Sequence, residues 1–361
     1  MILARALADP SSVLTLGDEG WTALLCIAHA ERLLATLAHR VDGLPVPDAA
    51  KAVLANARLN ADAGRVRALW EVEMARRALQ PLNVPVVLLK GSAFLAAGLA
   101  AGQGRLVGDL DILVPRDRLD EVEAAVLAAG WEWLKSDVYD DYYYRTWMHE
   151  LPPMIHRDRD AMIDVHHTIL PVTARSKPDA QGLLESSIGL VDGLRRGPKI
   201  DWIDQLKGYD AIRVLSPEAM VVHAAAHLFA DGDLSGGLRN LWDIDRLIRE
   251  FSADDPFFIL SVIEEEWRQD LHPHVRRALR LSAQIFDTPL QSCEPLNTEQ
   301  FVTHWSDRIF IRRLLARDGW GRETHKLLRF AYYVRSHVIR MPPGLLLRHL
   351  FTKWRKARAD G

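Results

Sequence analysis

Hydrophobic residues recur at steps of three and four along the first eighty positions, in TALLCIAHAERLLATLAHR and in KAVLANARLNADAGRVRALWEVEMARRALQ. This spacing is typical of amphipathic helices. Pro81 and the segment Asn83-Val84-Pro85 interrupt it, because proline ends a helix. The pattern predicts a helical N-terminal region over residues 1–80.

The pattern changes in the next hundred residues. PVVLLK, GDLDILV and AMIDVHHTIL are short apolar runs typical of buried strands, and the aromatic segment YDDYYYRTW suggests a further strand packed on the sheet. Between them, SAFLAAGLA predicts a short helix, and RDRLDEVEAAVLAAG predicts a helix that ends on Gly130. Alternating strands and helices predict an α/β or α+β sheet domain over residues 81–175.

Residues 176–361 are expected to form a polar connection followed by a C-terminal helical domain. Ser216 and Pro217 are typical of a helix start, with serine as N-cap and proline at the first helical position. Amphipathic segments follow, and LLLRHLFTKWRKARA suggests the last helix.

Composition excludes several classes of protein. The chain has 361 residues, 48% of them hydrophobic, and a formal net charge of −3, which argues against a nucleic-acid coat protein or an acidic tail. Cys26 and Cys293 form no disulfide framework, and the start MILARALADPSSVL lacks the apolar stretch of a secretory signal. We therefore expect a cytoplasmic protein without a transmembrane segment.

Two aspartates lie inside the apolar run GDLDILV. Side chains alternate along a strand, so Asp109 and Asp111 share one face, with Cα atoms about 7 Å apart. Two carboxylates placed this way repel each other unless a cation lies between them. Mg²⁺ prefers oxygen ligands and is commonly held by one or two carboxylates together with substrate phosphates. The pair therefore predicts a metal site.

Two further segments suit that site. Gly91 and Ser92 lie at a strand-to-helix junction, where free backbone N–H groups bind anions such as phosphate. Asp164 lies among apolar residues in a later strand, where an unpaired acid is costly, and His166 shares its face. A phosphate site beside carboxylates predicts binding of a nucleoside triphosphate with its metal.

These motifs resemble the nucleotidyltransferase superfamily typified by DNA polymerase beta and kanamycin nucleotidyltransferase. Leu89-Lys90-Gly91, Gly108-Asp109-Leu110-Asp111 and Asp164-Val165-His166 are similar to a bacterial branch of largely uncharacterised members, and the resemblance covers roughly residues 80–250. It implies an α+β fold, a mixed sheet with helices flanked by N- and C-terminal helical regions. It also implies transfer of a nucleoside monophosphate from a donor such as ATP to a hydroxyl, with release of pyrophosphate.

The resemblance also implies residue roles. Gly91 and Ser92 are expected to bind the triphosphate, and Asp109, Asp111 and Asp164 to hold two Mg²⁺ ions, or Mn²⁺ in their place. Asp164 is expected to help deprotonate the acceptor hydroxyl. Lys90 and Arg105 either bind phosphate or form ion pairs within the domain, and His166 either contacts the nucleotide or is a structural histidine.

The acceptor is left open by the sequence. A small molecule is favoured over an RNA end or a protein hydroxyl, because the acidic body lacks a continuous basic track. A macromolecular acceptor would dock on residues 307–361, which contain fourteen Lys and Arg against four acids. A nucleotide-binding scaffold without catalysis is the non-enzymatic alternative. His223 and His227, four residues apart, have zinc-capable spacing, but a hydrogen-bonded helix pair is the favoured interpretation.

Overall fold

The computed structural model describes residues 2–134, 137–190, 212–290 and 304–348. Its N-terminal part is helical, as the hydrophobic spacing predicts. The elements are α1 Ile2–Ala8, α2 Asp18–Ala30, α3 Leu34–Arg40 and α4 Asp48–Leu79, with a 3-10 turn at Pro10–Thr15. Helix α4 ends before Pro81, and Asn83 takes a left-handed conformation with φ +49°. The predicted break therefore separates the helices from the sheet.

The described residues form a seven-stranded mixed sheet in the order β3-β4-β5-β2-β1-β7-β6. Pairs β1–β7 and β2–β5 are parallel, and the other neighbouring pairs are antiparallel. The strands are β1 Val86–Leu88, β2 Asp109–Leu113, β3 Trp131–Trp133, β4 Met154–His156, β5 Met162–His166, β6 Ile188–Gly189 and β7 Ile212–Val214. The fold is therefore α+β, as expected.

Four helices accompany the strands: α5 Lys90–Ala96, α6 Leu119–Ala128, α7 Val138–Trp147 and α8 Ala180–Glu185. The prediction of an aromatic strand at YDDYYYRTW is wrong, because this segment is helix α7. The Asp137 carboxylate caps the helix by accepting a hydrogen bond from the Asp140 N–H at 2.9 Å. Arg145 in its last turn pairs with Asp141 one turn earlier. Capping and pairing outweigh the strand preference of the tyrosines.

The C-terminal part is helical. Its elements are α9 Pro217–Ala226, α10 Gly237–Asp254, α11 Phe258–Arg268, α12 His272–Phe286, α13 Asp307–Leu314 and α14 Lys326–Arg340. Ser216 precedes α9 and Pro217 is its first residue, as predicted, but the serine side chain makes no capping hydrogen bond. Most of the predicted last helix, from residue 349 onward, lies outside the described residues.

One hydrophobic core joins the three parts of the chain. Leu3 and Leu24 from the N-terminal helices, Ile112 from β2, and Trp242 and Phe286 from the C-terminal helices belong to the same buried cluster. The predicted domain boundaries stay a prediction. Strand β7 lies beyond residue 175, the predicted end of the sheet domain, and pairs with β1 inside that domain. Within the described ranges, no helix combines the length and apolar character needed to cross a membrane.

Candidate active site

Strands β2 and β5 bring the three predicted carboxylates together. The two strands are parallel, and their register pairs Asp111 with Asp164. Asp109 lies two residues earlier, at the exposed start of β2, whereas Asp111 is buried and Asp164 is half-buried. One carboxylate oxygen from each residue lies within 4.8 Å of the others. A single ion can therefore contact all three side chains.

Lys90 places a cation at this cluster. Its Nζ donates to Asp111 Oδ1 at 2.6 Å, and its side chain is 22% exposed. Lys90 starts helix α5 with φ +48°, in the left-handed region that non-glycine residues rarely occupy. The residue with this strained backbone is therefore the same one whose ammonium contacts the Asp111 carboxylate. Of the two interpretations left open by the sequence, the structure shows the ion pair.

The two paired aspartates have opposite pKa shifts. Burial, the largest influence, acts to raise the pKa of Asp111, but the Lys90 charge and a hydrogen bond from His166 hold it well below its ordinary value. For Asp164, burial acts together with the Glu150 and Asp111 charges and raises the pKa to about 7. Asp111 is therefore ionised at neutral pH, and Asp164 is close to its midpoint.

His166 lies behind Asp111 and is only 2% exposed. Its Nε2 is 3.0 Å from Asp111 Oδ1, and its Nδ1 is 3.4 Å from Glu150 Oε2. Burial acts to lower the pKa of His166, but the two carboxylates outweigh it and raise that pKa. The buried imidazole thus connects one carboxylate of the cluster to a second acid. Its predicted contact with the nucleotide stays a prediction.

Gly91 and Ser92 follow Lys90 as the second and third residues of helix α5. A Cβ on Gly91 would lie 2.5 Å from Arg105 Nε and 2.8 Å from Val107 Cγ2, so only glycine fits without displacing them. Ser92 is buried, and its Oγ has no hydrogen-bond partner among the residues described. The segment is therefore closely packed by the loop that precedes β2.

Arg105 forms an ion pair with Asp243 on helix α10. Asp243 also lies 3.1 Å from Arg239 Nε, so one buried carboxylate serves two guanidinium groups. Arg239 in turn donates to the Ala101 carbonyl at 2.8 Å and to Thr36 Oγ1 at 2.5 Å. This network ties the C-terminal helices to the sheet domain and to helix α3. For Arg105, too, the structure shows the ion pair.

A cavity of about 450 Å³ opens at the carboxylates, between the sheet domain and both helical regions. Its wall includes Asp109 and Asp111, and its basic side chains come from all three parts of the chain: Arg32, Lys90, Arg105, Arg239 and Arg317. A second cavity of about 570 Å³ is lined mainly by apolar residues and shares the wall segment 106–108. Acidic and basic groups therefore face one space large enough for a small ligand.

Several residues of this site were not predicted from the sequence. Glu150 lies in the segment MHELPP, before strand β4. The sequence hints at its role only by placing an acid next to a histidine. Arg32, Arg239 and Arg317 lie far from the aspartates in sequence, and only tertiary packing brings them to the cavity.

His223 on helix α9 is buried, and His227 in the turn after it is half-buried. Burial lowers the pKa of His223 to about 3 and that of His227 well below its ordinary value. Two groups of three potential metal ligands occur in the described part of the chain, and neither contains His223 or His227. His227 begins a π-helical turn and lines the cavity.

The profile of a family described as "Uncharacterised nucleotidyltransferase" matches residues 17–287, which is most of the chain. The chain belongs to this family of nucleotidyltransferases. No curated protein matches it. Among solved structures, the crystal structure of ANT(2")-Ia in complex with adenylyl-2"-tobramycin is similar over 56% of this chain and 98% of its own, with 14% identity and a TM-score of 0.35.

The carboxylate cluster lies within the residues that match the nucleotidyltransferase family. The matched residues include all three aspartates, Lys90 and His166. The donor set at the cluster consists of carboxylate oxygens, which suits Mg²⁺ or Mn²⁺ better than softer metals. The residues present in this nucleotidyltransferase therefore fit a hard divalent cation.

Proposed function

We propose that the protein transfers a nucleoside monophosphate from a nucleoside triphosphate to an acceptor hydroxyl, with release of pyrophosphate, and that it requires divalent metal ions. The proposal rests on the convergence of Asp109, Asp111 and Asp164, two of which, Asp109 and Asp111, line a cavity that also carries basic side chains. Carboxylates beside cationic groups match a substrate that combines metal ions with phosphates.

Asp109, Asp111 and Asp164 would hold Mg²⁺, or Mn²⁺ in its place, and two ions are expected. When bound, such ions neutralise the charge of the triphosphate and of the departing pyrophosphate. Lys90 keeps Asp111 ionised and therefore ready to act as a ligand. In the metal-free protein the pKa of Asp164 is about 7, and we assign to this residue a part in accepting the proton of the acceptor hydroxyl.

The triphosphate is assigned to the cavity wall at Gly91 and the neighbouring cations, and Ser92 lies buried next to this wall. Gly91 and Lys90 line the cavity directly. Arg32 also lines it and has no ion-pair partner within the described residues, so its guanidinium is available for phosphate oxygens. The Asp243 pair holds Arg105 against Gly91, which supports a role in shaping the wall, and a direct phosphate contact by Arg105 stays a prediction.

A small-molecule acceptor is proposed because of the size of the space. The two adjoining cavities, about 450 and 570 Å³, lie in the range of small-molecule sites, and one of them is mainly apolar. The basic tail that a macromolecular acceptor would use lies partly outside the described residues.

A transfer assay tests the proposal. Each α-phosphate-labelled nucleoside triphosphate is incubated with Mg²⁺ and either a panel of hydroxyl-bearing small molecules or an RNA oligonucleotide. Label on a small molecule with an equal amount of pyrophosphate, absent in Asp164→Asn, supports the proposal. Label on RNA alone would overturn the acceptor class. Nucleotide binding without pyrophosphate, unchanged in Asp164→Asn, would favour the non-catalytic alternative.

A further inference from the structure

We propose that His149, Glu150 and His166 form a second metal site, for Zn²⁺, directly behind the carboxylate cluster. This site has a different donor set from that of the three aspartates. Its test does not depend on the transferase activity proposed above.

The distances between the three side chains suit a tetrahedral metal. Glu150 Oε2 lies 3.4 Å from His166 Nδ1 and 3.7 Å from His149 Nε2. Two ligands on one tetrahedral zinc, with bonds of about 2.1 Å, are separated by roughly 3.4 Å. One ligand atom from each of the three residues lies within 4.8 Å of the others, and the two imidazole centroids are 5.2 Å apart. Small side-chain adjustments therefore suffice to bring all three onto one ion.

In both imidazoles the buried Nδ1 makes no hydrogen bond within the described residues, although that of His166 lies 3.4 Å from Glu150 Oε2. His166 is 2% exposed and His149 is 8% exposed. An unsatisfied buried polar atom is costly, so such atoms call for a ligand. In His166 this nitrogen faces Glu150 Oε2, whereas in His149 the nitrogen that faces Glu150 is Nε2, so only the unpartnered Nδ1 of His166 points to the proposed ion. A metal ion at this position would satisfy it.

The backbone holds the ligands in place. The Glu150 backbone forms a bridge with that of His166, and the His167 N–H donates to the His149 carbonyl at 2.9 Å. The segment that carries two ligands is thus tied to the end of strand β5, which carries the third. A site on paired backbone is preorganised for binding.

The donor chemistry distinguishes this site from the aspartate cluster. Two imidazoles and one carboxylate are a donor set typical of Zn²⁺, whereas three carboxylates suit Mg²⁺. Three protein ligands leave the fourth tetrahedral position for water or another group. The two sites should therefore select different metals although they are adjacent.

The site also has a specific relationship to Asp111. His166 Nε2 lies 3.0 Å from Asp111 Oδ1. A zinc ion on Nδ1 leaves the single imidazole proton on Nε2, where it is donated to the carboxylate. The metal would thereby fix the orientation of Asp111. Without a metal, Nδ1 of His166 would instead face the Glu150 carboxylate directly, at 3.4 Å, and the experiment separates these two states.

The test is the metal content of untagged protein, measured by mass spectrometry after dialysis against Zn²⁺ and then against metal-free buffer. We expect about one zinc per chain, lost in His149→Ala and in Glu150→Gln. Zinc should be retained in Asp109→Asn and in the surface control His325→Ala. Replacement by Co²⁺ should give the intense visible absorption of a tetrahedral site.

A further variant covers the case in which His149→Ala fails to fold. His149→Cys retains a zinc ligand, so it should keep the metal and add a thiolate-to-cobalt charge-transfer band. Three results would overturn the proposal: zinc below about a tenth per chain in the wild type, zinc that survives Glu150→Gln, or zinc that is lost in Asp109→Asn. Absence of the charge-transfer band in cobalt-loaded His149→Cys would also overturn it.

Discussion

Asp111 on β2 and Asp164 on β5 are register partners on neighbouring parallel strands, and their environments shift their pKa values in opposite directions. Lys90 and His166 contact Asp111 and stabilise its charged form, whereas Asp164 is buried beside other carboxylates. One aspartate therefore remains charged, whereas the other exchanges a proton near neutral pH. Such a division of roles is expected where one carboxylate holds a metal and another also accepts a proton.

Loss of either paired carboxylate should abolish transfer. For Asp111→Asn and Asp164→Asn we expect nucleotide transfer to fall by about a hundredfold or more, because a metal ligand or a proton acceptor is removed. The measurement is pyrophosphate release at saturating nucleotide and Mg²⁺. Asp117→Asn, at an exposed position after β2, is the matched control and should retain activity. Equal rates in all three variants would contradict the assignment.

The pKa of Asp164 predicts a pH-dependent stability in metal-free protein. Its folded-state pKa is about 7, against about 3.9 in an unfolded chain, so the folded state keeps a proton that the unfolded state releases. The free energy of unfolding should therefore fall as the pH rises from about 4 to about 7.

Asp164→Asn removes this dependence. In the presence of a chelator at pH 8, we expect the variant to exceed the wild type by about 2–4 kcal/mol in free energy of unfolding, and to show little advantage at pH 4. Denaturant unfolding at both pH values measures the difference. A variant less stable than the wild type at pH 8 would show that Asp164 is held in its ionised form.

Two glycines of the same cavity wall should respond differently to alanine. A Cβ on Gly91 would press on Arg105 and Val107, whereas a Cβ on Gly108 has no atom within 4 Å. We expect Gly91→Ala to lose about 1–3 kcal/mol of stability and to weaken nucleotide binding, because the cavity wall must shift. Gly108→Ala is the matched control. Calorimetric titration with each nucleoside triphosphate compares the affinities of the two variants. Equal affinities would contradict the prediction for Gly91.

Asp243 should matter for stability far more than an exposed acid. Asp243→Asn leaves Arg105 and Arg239 buried without their counter-charge, which costs about 3–5 kcal/mol. Glu264→Gln on helix α11 is the exposed control and should change little.

A double-mutant cycle isolates the pair with Arg105. Arg105→Met combined with Asp243→Asn should show a coupling free energy of at least about 1 kcal/mol, because each substitution removes the same ion pair. Denaturant unfolding of the four proteins supplies the cycle. Strictly additive losses would mean that the two residues act independently.

The sequence predicts the parts of the structure that follow from local pattern. Strand periodicity placed Asp109 and Asp111 on one strand, and an acid in an apolar strand singled out Asp164, since burial of a charge demands a partner. The helical N-terminal region followed from its spacing. The motif resemblance implied that the three aspartates act together. The structure brings them together because β2 and β5 pair in parallel, which periodicity alone does not determine.

The remaining features depend on long-range packing. No local signal connects Arg239 or Arg32 to the cavity, and Glu150 becomes notable only through its bridge to His166. The tyrosine-rich segment failed as a predicted strand because its Asp137 cap and Arg145 pairs favour a helix. The ion pair of Lys90 with Asp111 is visible only in the folded structure, and a phosphate contact by Lys90 stays a prediction.

Thermal unfolding with each of the four nucleoside triphosphates, with and without Mg²⁺, for the wild type and for the double variant Asp109→Asn/Asp111→Asn, shows whether these aspartates bind a metal-nucleotide complex. At a hundredfold excess over the dissociation constant, a bound ligand adds about 2.7 kcal/mol of stability. We predict a Mg²⁺-dependent rise in Tm with at least one nucleotide, absent in the double variant. A rise that is independent of Mg²⁺, or unchanged in the double variant, would contradict a metal-nucleotide site at these aspartates.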